Sequence, residues 1–151
     1  MSKSKNLVYV GPADDANHKP LHVEEIALEA DIAPGMLLGV TAAGFSKSPA
    51  IATVFGKQPF FADKNFLQGG SITEPWAISN SMVAIHARSG EFINAMVAAS
   101  TAITTRGMPL ASVGDGTLAI ATTDGTNDII AYSNEIITTG ASPELVQVRI
   151  S

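Results

Sequence analysis

Cysteine is absent from this sequence, charged residues are scarce, and no apolar run is long. The first absence excludes disulfides and thiolate metal sites and leaves the chain indifferent to redox state. Only 15% of residues are charged, against about a quarter in an ordinary free domain, so part of the surface is expected to lie against other protein chains. The nine Lys and Arg are scattered and the net charge is −5. They are not interleaved with aromatic residues, which argues against nucleic acid as a partner. No stretch approaches the roughly 20 apolar residues that span a bilayer. The start, MSKSKNLVYVGPADD, lacks the apolar centre of a signal peptide. The expectation is a soluble, non-exported chain with no membrane partner.

Catalytic signatures are missing too. There is no G-x-S-x-G elbow, no G-x-x-x-x-G-K-[ST] phosphate loop and no G-x-G-x-x-G fingerprint. His18 and His22 are four apart, but Pro20 between them spoils the helix that would align them as metal ligands. His86 stands beside Arg88 on the polar side of its expected strand. Asp115 in Gly-Asp-Gly and Asp124 in Thr-Asp-Gly supply one carboxylate each, and with Asp128 they lack the alternating carboxylates of a calcium loop. The acidic cluster of Glu24, Glu25, Glu29 and Asp31 reads as a solvated or partner-facing edge. The residues therefore predict no enzyme, no metal and no cofactor.

What is present is β-forming text punctuated by turns. Hydrophobic residues make up 46% of the 151, with thirteen Gly and eight Pro, which suits one domain of short strands around a real core. The organising stretch is Phe92–Ala121. An apolar strand, Phe92–Ala99, is followed by a turn at Thr104–Gly107, a short strand at Met108–Ser112, the turn Val113–Gly116 and a return at Thr117–Ala121. Asp115-Gly116 between apolar runs predicts a hairpin through a type I′ turn. Pro109 and the β-branched residues around Gly107 work against a helix there.

Upstream, residues 1–20 form a separate extended arm in which Leu7, Val8, Tyr9 and Val10 are the only β-prone run. The arm is either a frayed terminus supplying one edge strand or a strand added to a neighbouring subunit. The domain proper is 21–151. His22–Ala33 reads as a strand and turn, with a short helix as the alternative, and Pro34-Gly35 ends it either way. Met36–Thr41, Phe60–Ala62 and Met82–Arg88 are strands, with Val83 and Ile85 facing the core. Asp63–Thr73 is a loop. Near the end, Ile129–Ser133 and Glu135–Thr139 are strands, and Glu144–Ser151 alternates so that Val146, Val148 and Ile150 take the core face. The fold class is all-β: a small β-barrel or sandwich with a crossing hairpin and at most one short helix. Phe66 and Trp76, large and placed in loops, are candidates for an inter-subunit patch.

From Ala77 onward the order of features resembles the head decoration (capsid cement) proteins of tailed bacteriophages. Ile103-Thr-Thr-Arg-Gly107-Met-Pro-Leu110 is similar to that family's turn, Gly and small apolar pair. Ala111-Ser-Val-Gly-Asp-Gly-Thr-Leu118 resembles its L-x-S-x-G-D-G-T-L hairpin, Ile130–Glu135 its A-x-x-x-E strand, and Val146–Ile150 its closing strand. Ala33–Leu38, Gly44, Phe61-Ala62 and Gly69 keep the family spacing more loosely, and the first twenty residues do not match. The hairpin is also similar to lipoyl-type barrel sandwiches, but the tip, Val113–Gly116, carries no modifiable Lys. The cement resemblance implies a homotrimer on the outer surface of the virion capsid. It would clamp neighbouring subunits of the major capsid protein after synthesis in the host cytoplasm; residues 7–10 are the contacts expected from the arm itself, outside the resemblance. A tail or baseplate β-module, or a small-ligand-binding or hydrolytic β-barrel with His86 beside an acid and a Ser, are the alternatives.

Overall fold

The computed structural model describes residues 5–11, 20–47, 59–122 and 129–151. Among the described residues the chain is all-β, with thirteen strands and one turn of 3-10 helix at Phe66–Gln68. The strands are β1 (Tyr9–Gly11), β2 (Leu21–Ile26), β3 (Leu37–Thr41), β4 (Gly44–Lys47), β5 (Phe60–Ala62) and β6 (Ser81–His86), followed by β7 (Phe92–Val97) and β8 (Ala102–Ile103). Then come β9 (Pro109–Ser112), β10 (Leu118–Ile120), β11 (Ala131–Ser133), β12 (Ile137–Thr138) and β13 (Glu144–Ile150).

Five of these strands close on themselves. The ring runs β7-β10-β9-β11-β13 and returns to β7. A ring of five cannot be antiparallel throughout, and the odd pair is β10–β7, where Leu118 lies parallel to Val97. The longest ladder is β13–β7, in register from Glu144↔Val97 to Arg149↔Phe92. Period two then places Ile93, Ala95 and Val97 of β7 and Val146, Val148 and Ile150 of β13 inside the barrel, as the alternation of the C-terminal strand predicts. The crossing hairpin β9–β10 forms in the expected place, with Leu118 opposite Ser112. Its turn is not type I′. The positive φ angles fall on Gly114 (100°) and Gly116 (90°), and the Val113 N–H donates to the Thr117 carbonyl at 3.0 Å. Asp115 stands between the two glycines and turns its carboxylate back to accept from the Thr117 N–H (2.9 Å) and hydroxyl (2.6 Å).

The other large sheet, β2-β6-β5-β3-β4, is antiparallel. The choice between strand and helix at His22–Ala33 falls to strand, since all six residues of β2 pair with β6. One further bridge, Ala27 parallel to Phe45, joins the two ends of this sheet. Both faces of its middle are covered. Leu37, Phe61, Ile85 and Ala87 pack into the barrel core. Leu38, Ala62, Met82 and Ala84 point the other way, into a second core with Phe45, Ile32 and Trp76. Because neither face is left to solvent, the expected apolar-in, polar-out reading of β6 fails. Val83 joins the second core while Ile85 joins the first, and His86 stacks on Phe60 with ring centroids 4.4 Å apart.

Residues 35–37 stitch the two halves together. The Gly35 N–H donates to the Ala62 carbonyl and its own carbonyl accepts from Met96, each at 2.8 Å, while the Leu37 N–H donates to the Gly116 carbonyl. Gly35 has φ +86°, and a Cβ there would overlap the Leu145 side chain and lie 2.9 Å from the Asn94 carbonyl. No other residue type fits without displacing one half.

Candidate interaction surfaces

Three places on the exterior gather features that can bind something: the N-terminal strand, the turn at Phe66, and a groove over β11. The first is built on Asn94. It occupies the outward-facing position in the middle of β7, where solvent would normally reach it, yet it is buried. Its main-chain N–H donates to the Val8 carbonyl and its side-chain amide to the Leu7 carbonyl, each at 2.7 Å. β1 then pairs with β7 through Tyr9↔Ile93 and Gly11↔Phe92. Lys5 is ion-paired with Glu135, and Glu135 also accepts from the Gln147 N–H.

The four expected contact residues therefore part company. Val8 is 1% exposed and belongs to the barrel core, so what it binds is its own chain. Tyr9 is half-buried against the same core. Burial raises its hydroxyl pKa, the Glu91 charge adds to that, and Arg88 offsets part of it. Leu7 (58%) and Val10 (42%) remain exposed. Both line an open hollow of about 390 Å³ shared with Lys5, Asn6, Asn94, Glu135 and Gln147. Asn94 itself went unread in the sequence, although a lone amide inside FINAMV was signal enough to ask what it holds.

Phe66 and Trp76 also separate. Trp76 is 7% exposed in the second core, its indole N–H donating to the Asp63 carbonyl at 2.7 Å. Phe66 is exposed, next to the still more exposed Leu67 (75%). Its ring lies edge-on to His22 at 6.3 Å, and His22 in turn meets the Asp63 carboxylate at 3.1 Å. The loop tip, not the tryptophan, is the apolar surface.

The third place was not singled out from the sequence. Tyr132 of β11 and Arg149 of β13 are register partners on the outer wall of the barrel. The turn at Arg106-Gly107 is held against the same strand by the Gly107 N–H donating to the Ser133 carbonyl at 2.7 Å. Together with Ser133 and Asn134 these line an open groove of about 500 Å³, with an arginine on each side of β11. Arg106, Tyr132 and Arg149 are all exposed.

Among the described residues no three His, Asp or Glu side chains converge as metal ligands, and no helix is long and apolar enough to cross a membrane. His18, Asp124 and Asp128 lie outside the described residues. Neither His22 nor His86 is bonded to a serine hydroxyl among the described residues. Burial works to raise the Asp115 carboxyl, but the two hydrogen bonds from Thr117, with the Lys47 charge, hold it below the usual carboxylate range.

The sequence matches no protein-family model and no curated protein. The fold does have a solved counterpart. The N base of head fiber gp8.5 in bacteriophage phi29 superposes with a TM-score of 0.52, covering 88% of this chain and 95% of that one at 14% identity. At that identity the likeness is one of fold.

Proposed function

We propose that this chain is a structural, non-enzymatic protein of a phage virion that sits on the outer surface of the head as a homotrimer and ties neighbouring major capsid subunits together. The observation that carries the reading is the fold shared, over nearly the whole length of both chains, with the base of a phage head fiber. The scarcity of charge and the exposed apolar residues at Leu7, Val10, Phe66 and Leu67 support it, because such surfaces are normally covered in an assembly. Mechanically the reading is sound. A packaged genome presses outward, and a clamp need not bind tightly through one copy. Three linked copies, each with a roughly standard interface, gain avidity through effective concentration.

Of residues 7–10, Leu7 and Val10 are the ones free to meet a capsid subunit, with Val8 left in place to hold the strand. Mixing the purified chain with empty expanded heads tests this. Stoichiometric occupancy on the head surface by cryo-electron microscopy is expected, and Leu7→Asp combined with Val10→Asp should cut occupancy about tenfold or more while the barrel stays folded. A chain that ignores heads and binds tails or baseplates instead would overturn the reading.

A further inference from the structure

The Arg106–Arg149 groove and the β2 edge are complementary, and we infer that one copy of this chain seats the β2 edge of a second copy in that groove. Copy-to-copy contact is part of the function proposed above; the surfaces that make it are the new assignment. Within one chain the two features stand on different sheets, the groove over β11 and β13 of the barrel, the edge at one end of the five-stranded sheet.

The charges argue first. Among the described residues Lys5 is paired with Glu135, and Arg88 with Glu91. Arg106 and Arg149 have no acidic partner there, and they flank a single groove floored by Tyr132, Ser133 and Asn134. A chain of net charge −5 that spends two of its three arginines on one exposed groove has made a local site for carboxylates. Guanidinium groups suit that role, since they present paired donors to a carboxylate and lose little on leaving water.

The edge supplies the carboxylates. Glu24 and Glu25 are exposed in mid-strand, and neither has an ion-pair partner among the described residues. Successive residues of a strand point to opposite sides, so an edge inserted lengthwise presents Glu24 to one wall and Glu25 to the other. That matches a groove with one arginine on each side of β11. Exposed Leu21 and Ile26 flank the acids, Leu21 on the side of Glu25 and Ile26 on that of Glu24.

The backbone argues second. The Ala27 N–H donates to the Asn80 carbonyl at 2.9 Å, and the β2–β6 register continues through that pair. The alternation of an antiparallel ladder then turns the N–H and C=O groups of His22 and Glu24 away from β6, toward the edge. Ser133 is buried with its hydroxyl bonded to Met108 and Thr105, so the polar groups left to meet such an edge are the two guanidinium groups and the Tyr132 hydroxyl. A contact between two different surfaces of identical chains is head-to-tail, and repeats into a closed ring when the rotation allows.

The test uses the isolated full-length chain and sedimentation equilibrium across a concentration series. Wild type should self-associate, less so at high salt. Arg106→Glu with Arg149→Glu should weaken association at least tenfold, and so should Glu24→Arg with Glu25→Arg. Mixing the two variants should restore association between unlike copies, because each then carries the surface the other needs, with one mismatched contact remaining wherever three copies close a ring. All four side chains are exposed or on an exposed edge, and unchanged thermal melting checks that each variant is folded. A chain monomeric at every concentration overturns both the inference and the homotrimer. Association that survives both charge reversals, or is not restored on mixing, overturns these surfaces and leaves copy-to-copy contact elsewhere standing. Binding to empty heads, measured separately, bears on the capsid reading and not on this one.

Discussion

The two cores of this protein are built on different principles. Among the described residues the barrel core holds sixteen buried side chains, mostly β-branched or aliphatic, around a ring whose every strand has a partner on both sides. The second core holds nine of the described residues, and its bulk comes from two aromatic residues, Phe45 and Trp76, under a sheet whose ends, among the described residues, meet at the Ala27–Phe45 bridge. A closed ring spreads its stability over many ladders and leaves no edge. The second half concentrates its stability in a few large side chains, and among the described residues no further strand is paired along β2 beyond the Ala27–Phe45 bridge.

Truncating the aromatic anchor is the hardest test of that contrast. Phe45→Ala is expected to cost about 3–5 kcal/mol, measured by denaturant unfolding. Native-state hydrogen exchange should show β2, β4 and β6 losing protection while β7 and β13 keep theirs. Equal loss across all five strands would mean the two cores unfold as one unit. Gly35→Ala probes the joint instead. With φ at +86° and a carbonyl 2.9 Å from the new Cβ, it should cost about 2–4 kcal/mol and loosen both halves together, where Phe45→Ala loosens one.

The smallest effect lies in the hairpin that caps the joint. The Asp115 carboxyl is held below its usual range. The folded state therefore binds this proton more weakly than the unfolded chain does. Its contribution to stability is complete above the unfolded pKa of about 4 and is lost as pH falls through the folded value. Denaturant midpoints measured from neutral pH downward should fall in that acidic window, and Asp115→Asn should flatten part of the fall.

Much of the barrel was legible before any coordinates, for a physical reason. Its strands alternate because one face is inside and the other outside, and that pattern is local: Val146, Val148 and Ile150 announce their side within seven residues. The middle strands of the second sheet gave a misleading pattern because both their faces are covered, and periodicity cannot tell one interior from another. The candidate contacts divided along the same line. Leu7, Val10 and Phe66 are exposed and Val8 and Trp76 buried, although all five are apolar residues outside the strongly periodic segments. The Arg106–Arg149 groove was invisible because its walls come from positions more than forty apart in sequence.

The sequence alone determined that the chain is β-built, where the Val113–Gly116 turn falls, which face of the last strand is inside, and that only 15% of residues are charged. These follow from composition and from spacings within a few residues. Tertiary structure decided that five strands close into a ring while the ends of the other five-stranded sheet are joined, among the described residues, by one bridge, that Asn94 fastens the N-terminal strand, and that two distant arginines share one groove. Each of those depends on pairing between residues far apart in the chain, which no local pattern encodes.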